Sequence, residues 1–187
     1  YVICLFRDPR AVITSVHKST SGKYFCNYLE WNSCQVAAES LEANDRFLLL
    51  QYEALTKKPN EVQIQIEDTF PFLTRTHDFT DYSTIAKPSE KSQNALNGVR
   101  PINTGRHEGW KQHLPRLKSE IERHPQITDD LIRLGYEPNS DWMSQLESVT
   151  SQRFDCRSSE TRFSLKKLET KIRKYFQTIA YIRKNQL

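Results

Sequence analysis

The sequence predicts an α/β fold built on parallel strands, and three observations carry that prediction. The run Tyr1-Val2-Ile3-Cys4-Leu5-Phe6 is short and apolar, as a buried strand should be. A helical pattern follows it at once, opened by Pro9. A second apolar run lies within 46–52, around Phe47-Leu48-Leu49-Leu50, and is followed by another proline-led helix from Pro59. Strand, helix and strand at these spacings fit parallel α/β architecture.

Each element has its own reason. Asp8 is a good N-cap and Pro9 sits in the first helical turn, where its missing N–H costs nothing. Val12, Ile13 and Val16 then share one side, and the helix is expected to end near Gly22. A second helix is expected from about Phe25 to Ala43, with Tyr28, Leu29, Asn32, Val36 and Leu41 as its partly apolar stripe. After the 46–52 strand, Val62, Ile66 and Phe70 give the Pro59 helix an apolar face to about Phe70. Residues 74–104 are rich in Thr, Ser, Asp, Lys, Asn and Pro and have no period; a loop this long in a compact domain is usually functional or mobile. Helices are expected at 106–123 and 127–135, the latter closed by Gly135.

The end of the chain differs in kind. Leu165, Leu168, Ile172, Tyr175, Ile179 and Ile182 are separated by 3, 4, 3, 4 and 3 residues, a heptad pattern. The expected organisation is a domain at 1–145, a linker at 146–159 and a basic heptad-patterned helix at 160–187. That helix either lies on the body of the domain or forms a coiled coil or a link to another domain, with self-association through 160–185 as one outcome.

Composition sets bounds. At 187 residues the chain is long enough for one domain with a real core. A hydrophobic content of 37% and a mean hydropathy of −0.70 are polar for a complete α/β domain. No apolar run approaches the roughly 18 residues that a membrane span needs. The net charge of +4 is concentrated at the end: residues 158–187 hold eight Lys or Arg against two Glu. The body is therefore close to neutral, unlike a nucleic-acid-binding domain with a basic face. Cys4, Cys26, Cys34 and Cys156 form no Cys-x-x-Cys pair and fit a reducing compartment, so a cytoplasmic location is expected. An upstream anchor would instead allow the Golgi lumen.

The most informative stretch is Arg7-Asp8-Pro9-Arg10, with Ser15 eight residues after Arg7. An arginine fork, free backbone donors and a hydroxyl at a strand-to-helix junction make a seat for a phosphate. About two turns of helix would return the Ser15 hydroxyl to the face of the junction.

This stretch resembles the sulfotransferase family. In that family a strand ending in Arg-Asp/Asn-Pro-Arg/Lys, with a serine eight positions on, holds the 3′-phosphate of 3′-phosphoadenosine 5′-phosphosulfate. Three later segments resemble the family in the right order. They are Gln51-Tyr52-Glu53-Ala54-Leu55 followed by Pro59; Arg100-Pro101-Ile102 through Gly105-Arg106 and Gly109-Trp110-Lys111; and Leu131-Ile132-Arg133-Leu134-Gly135-Tyr136. The resemblance covers roughly residues 1–140 and implies a P-loop NTPase-like parallel sheet flanked by helices.

It also implies roles. Arg7 and Ser15 match the 3′-phosphate ligands; the bland alternatives are a strand-end salt bridge for Arg7 and an ordinary exposed residue for Ser15. Tyr52 matches a tyrosine that contacts the adenine, and could equally close the sheet edge. Glu53 matches the family's glutamate, but Ala54 replaces the usual Asp, and a structural role for Glu53 is expected. Gly105 and Arg106 fall near a further phosphate-binding arginine and glycine, with Arg100 the competing choice. Trp110 is expected in the core.

The family's other donor loop and its usual catalytic base lie upstream of the Arg-Asp-Pro element, and no glycine-rich Lys-Ser/Thr loop occurs in the 187 residues. The chain therefore reads as a piece of a longer protein with half a donor site, expected to be a poor enzyme by itself. His17, His77, His107, His113 and His124 are scattered, none at the family's base position, so the catalytic residue is unassigned.

The implied reaction is sulfuryl transfer to a hydroxyl or amine of a carbohydrate, lipid or small metabolite, without a metal and without a nucleic-acid partner. Two alternatives remain. A P-loop nucleotide kinase-like enzyme would need a Mg²⁺-binding carboxylate, for which Asp8 is the sole candidate. A non-catalytic interaction module would work through the basic heptad segment.

Overall fold

The computed structural model describes residues 1–16, 23–90, 92, 99–103, 108–156, 173 and 177. Two strands, β1 (Val2–Phe6) and β2 (Phe47–Gln51), pair in parallel with Val2 opposite Phe47 and Phe6 opposite Gln51. The fold is thus mixed α/β with a small parallel sheet, as the two apolar runs predict. Because the register is flush, both strands deliver their next residues, Arg7 and Tyr52, at the same sheet end.

β1 is not buried as its composition suggests. Val2, Ile3 and Leu5 are exposed, because among the described residues the sheet has two strands and β1 has one neighbour. Leu50 of β2 is covered, packing with Val62, Ile66 and Phe70 of the region around α4 (Pro59–Thr69). Between β2 and α4 lies α3 (Tyr52–Lys57), a helix the sequence reading did not separate from the strand.

The first helix, α1 (Pro9–Ile13), is much shorter than expected. Asp8 caps it, its carboxylate accepting from the Arg10 N–H at 2.8 Å. Thr14 ends it: its hydroxyl donates to the Arg10 carbonyl at 2.6 Å, a local bond that competes with helix continuation. The chain then enters an isolated antiparallel bridge between Val16 and Tyr24. The expected continuation to Gly22 falls on 17–22, outside the described residues.

Helix α2 (Tyr28–Glu39) starts with a reciprocal capping box between Asn27 and Glu30. Its buried residues are Tyr28, Trp31, Gln35 and Ala38. The stripe expected from sequence is therefore only partly right: Tyr28 faces inward, whereas Leu29, Val36 and Leu41 are exposed. Tyr28 and Trp31, three residues apart, are the larger aromatic anchors and set which face turns in.

The region expected to be one long loop holds a 3₁₀ turn at Phe79–Asp81 and the short α5 (Tyr82–Ile85). A 3₁₀ turn at Gly109–His113 leads into α6 (Leu114–Arg123), and α7 (Gln126–Arg133) follows. Gly135 ends α7 at φ 75°, with Gly135 N–H donating to Ile132 O and Tyr136 N–H to Leu131 O. This is the paired bonding of a Schellman cap, and it needs a left-handed residue there.

The larger core gathers Ile13, Tyr28, Trp31, Trp110, Leu117, Ile121, Ile127, Leu131, Trp142 and Leu146. Trp142 and Leu146 come from a 3₁₀ segment, Asp141–Leu146. Residues 147–156, expected within a linker, are anchored to the body. Gln152 N–H donates to Pro115 O, the Phe154 ring meets Tyr24 edge-on, and Cys156 is buried beside Arg116. The heptad segment expected at 160–187 lies outside the described residues except at 173 and 177. Among the described residues no helix is long and apolar enough to cross a membrane.

Candidate anion site at the strand ends

Arg7 follows β1 directly and Tyr52 follows β2. Flush register brings them together: the Arg7 guanidinium lies over the Tyr52 ring, 4.6 Å from its centroid. That is a cation–π contact. The Arg7 side chain is 30% exposed, and its Nε stands 3.9 Å from Glu53 Oε1. A partly exposed cation thus sits at the carboxyl end of two parallel strands, where open α/β sheets bind ligands.

Glu53 is buried and knits the junction. It accepts from the Asp8 N–H at 3.3 Å and from the Tyr136 hydroxyl at 3.0 Å. Burial raises the Tyr136 pKa well above the ordinary phenol value, with the Glu53 charge adding to it, so the hydroxyl stays a donor. Glu53 therefore ties β1, α3 and the end of α7 to one point.

Arg10 points the other way. Its Nε and Nη2 bond both oxygens of Asp8, and its Nη1 reaches Glu137. Its guanidinium lies between Trp110 and Trp142, at 4.3 and 4.9 Å from their centroids. Burial opposes the charge, but Asp8 and Glu137 more than offset it, and the Arg10 pKa stands above its ordinary value. Asp8 is thereby committed to the helix cap and to Arg10. Sequence reasoning missed this arginine cage, although an arginine just inside a capped helix and two tryptophans later in the chain were its only signal.

The remaining candidates fare differently. Ser15 is half-buried but lies beyond the end of α1, so no second helical turn returns its hydroxyl to the junction. Its backbone instead accepts from the Phe25 N–H at 2.9 Å. Gly105 and Arg106 lie outside the described residues, as do His17 and His107. Arg100 is exposed, and Trp110 is in the core. His113 Nδ1 lies 3.0 Å from the Tyr24 hydroxyl, and His124 packs on the Tyr28 ring.

A second buried charge cluster went unread in the sequence. On α6, Arg116 and Glu120 are both almost fully buried and pair at 2.9 Å. Glu120 also accepts from Arg123 and from the Tyr28 N–H. Arg116 donates to Cys156 Sγ and to the carbonyls of Phe154 and Cys26. Burial, helped by Glu30, pushes the Cys26 thiol up to about 12, and burial raises Cys156 too. None of the four cysteines is joined in a disulfide. Among the described residues, no group of three or more His, Cys, Asp or Glu is gathered to hold a metal. Comparison with protein-family models, with curated proteins and with solved structures finds no match to this chain.

Proposed function

We propose that the chain carries part of the donor site of a sulfotransferase that uses 3′-phosphoadenosine 5′-phosphosulfate, on a P-loop NTPase-like sheet. The single observation that supports this reading is the pairing of Arg7 with Tyr52 at the carboxyl end of two parallel strands. A phosphate there gains a charge-assisted bond from a cation already held in place. In this reading Tyr52 orients Arg7: the ring face under the guanidinium is covered and cannot also stack on an adenine. The resemblance implies further phosphate ligands at Ser15, Gly105 and Arg106; Gly105 and Arg106 lie outside the described residues, and Ser15 would have to reach the phosphate from beyond the end of α1. Sulfuryl transfer needs positive charge around the departing nucleotide phosphate and a base at the acceptor. Arg7 supplies part of the first need; the base is unassigned. The acceptor class, a hydroxyl or amine of a carbohydrate, lipid or small metabolite, rests on the resemblance alone.

Titration with 3′,5′-adenosine bisphosphate tests the reading. Arg7→Ala should weaken binding about ten- to hundredfold, the worth of one charge-assisted bond. Affinity unchanged by the substitution removes Arg7 from the site. Stronger binding of a nucleoside triphosphate than of the bisphosphate would favour the kinase-like alternative.

A further inference from the structure

Arg7 shares its sheet end with a carboxylate held just short of it. Glu53 Oε1 stands 3.9 Å from Arg7 Nε, beyond hydrogen-bond reach. Both oxygens of that carboxylate are engaged elsewhere. Oε1 accepts from the Asp8 N–H at 3.3 Å, and Oε2 accepts from the Tyr136 hydroxyl at 3.0 Å. The first donor is backbone at the start of α1. The second arrives from a residue 83 positions further along the chain. Tyr136 follows the left-handed Gly135 that closes α7, and its own N–H is tied to Leu131 O. The Gln51 side chain, at the end of β2, also bonds the Tyr136 hydroxyl. The phenol is therefore placed by a helix cap and a strand end.

This arrangement decides where the Glu53 charge goes. A buried carboxylate oxygen that loses a donor turns to a nearby cation, because leaving it unsatisfied costs its desolvation. Arg10 is taken up by Asp8 and Glu137, whereas Arg7 stands next to Glu53. A direct Glu53–Arg7 bond would occupy the guanidinium that the donor-site reading gives to a phosphate. A fixed carboxylate and an incoming phosphate compete for the same charged fork.

We propose that Tyr136 is a positioning residue of the anion site: its hydroxyl holds the Glu53 carboxylate off Arg7, so that the guanidinium meets a phosphate and not an internal salt bridge. The inference rests on the donor-site reading of Arg7.

Binding of 3′,5′-adenosine bisphosphate to the full chain tests it. Tyr136→Phe should weaken binding about three- to tenfold, the worth of one hydrogen bond. Glu53→Gln removes the competing charge and keeps an oxygen for the Asp8 N–H. It should tighten binding about threefold, the Coulomb energy of two like charges about 6 Å apart in water. The deciding variant combines the two: Tyr136→Phe with Glu53→Gln should recover the parent affinity or exceed it. A merely structural role for Tyr136 leaves the double variant as weak as Tyr136→Phe or weaker, and that result overturns the proposal. Near-ultraviolet circular dichroism checks that each variant is folded. If Tyr136→Phe unfolds, Glu53→Gln alone decides, and weaker binding by it overturns the proposal. Arg7→Ala separates the two readings. A parent chain that binds no bisphosphate, or binds it no better than Arg7→Ala, removes the donor site and this proposal together. Weakened binding by Arg7→Ala beside unchanged binding by Tyr136→Phe removes the positioning role alone.

Discussion

Glu120 offers the sharpest test of how the helical body holds together. The carboxylate is fully buried on α6 and joins three donors: Arg116, Arg123 and the first N–H of α2 at Tyr28. Glu120→Ala leaves Arg116 almost fully buried, still contacting carbonyls and a thiol but with its countercharge gone. Breaking a buried pair in this way costs about 3–5 kcal/mol. For a chain of this size each kcal/mol shifts the melting temperature by about 2–4 °C, so a fall of about 6–20 °C is expected. Thermal and urea unfolding followed by circular dichroism would measure it. The exposed Lys58–Glu61 pair is the control, because both side chains are about two-thirds exposed. Glu61→Ala should change stability by no more than about 0.5 kcal/mol. The double replacement Arg116→Met with Glu120→Leu should cost less than Glu120→Ala alone, because it removes both charges together. A Glu120→Ala loss below about 1 kcal/mol, equal to that of a surface pair, would refute the buried-network argument.

Further outcomes follow from single features. Gly135→Ala should lose about 1–2 kcal/mol in urea unfolding, entirely from backbone strain, since a Cβ there meets nothing within 4 Å and φ is +75°. Tyr136→Phe leaves a buried Glu53 oxygen without its donor and should lose about 1–3 kcal/mol by the same measurement. In alkylation at pH 8, Cys34 should be modified first. Cys26, with a pKa pushed up to about 12 by burial and Glu30, holds roughly one thiolate in ten thousand there and should resist until the protein unfolds.

Elements with a local cause were legible in the sequence. Asp8 and Pro9 start a helix, Gly135 ends one, and the leucines of β2 make a strand, each through chemistry within a few residues. What depends on distant partners was not. The length of α1 depends on a Thr14 hydroxyl bond and on the Val16–Tyr24 bridge, which an apolar periodicity through Val16 concealed. The facing of α2 was misread because Leu29 and Val36 match Trp31 in apolar character but lie on another side. Buried Arg10, Arg116 and Glu120 look like surface charges until Trp110, Trp142 and Cys156 arrive from far along the chain. At the candidate site, flush strand register delivered Arg7 beside Tyr52, whereas Ser15 depended on a helical turn that does not form.

The Arg7-Asp8-Pro9-Arg10 motif divides accordingly. Asp8 caps α1 and clamps Arg10, Pro9 occupies the first turn, and Arg10 is stacked between two tryptophans with Glu137 beyond. These three residues are buried, and their partners are all internal. Arg7 alone turns toward the sheet end, partly exposed and braced by Tyr52 and Glu53. Three of the four motif residues are thus explained by folding, and the burden of any phosphate chemistry in the motif falls on one. It follows that Asp8 and Arg10 substitutions should act through stability and Arg7 substitutions through ligand affinity. Arg10→Met should lower the melting temperature more than Arg7→Ala does, and Arg7→Ala should weaken bisphosphate binding where Arg10→Met acts through stability. A large stability loss for Arg7→Ala, equal to that for Arg10→Met, would instead make the whole motif a structural joint.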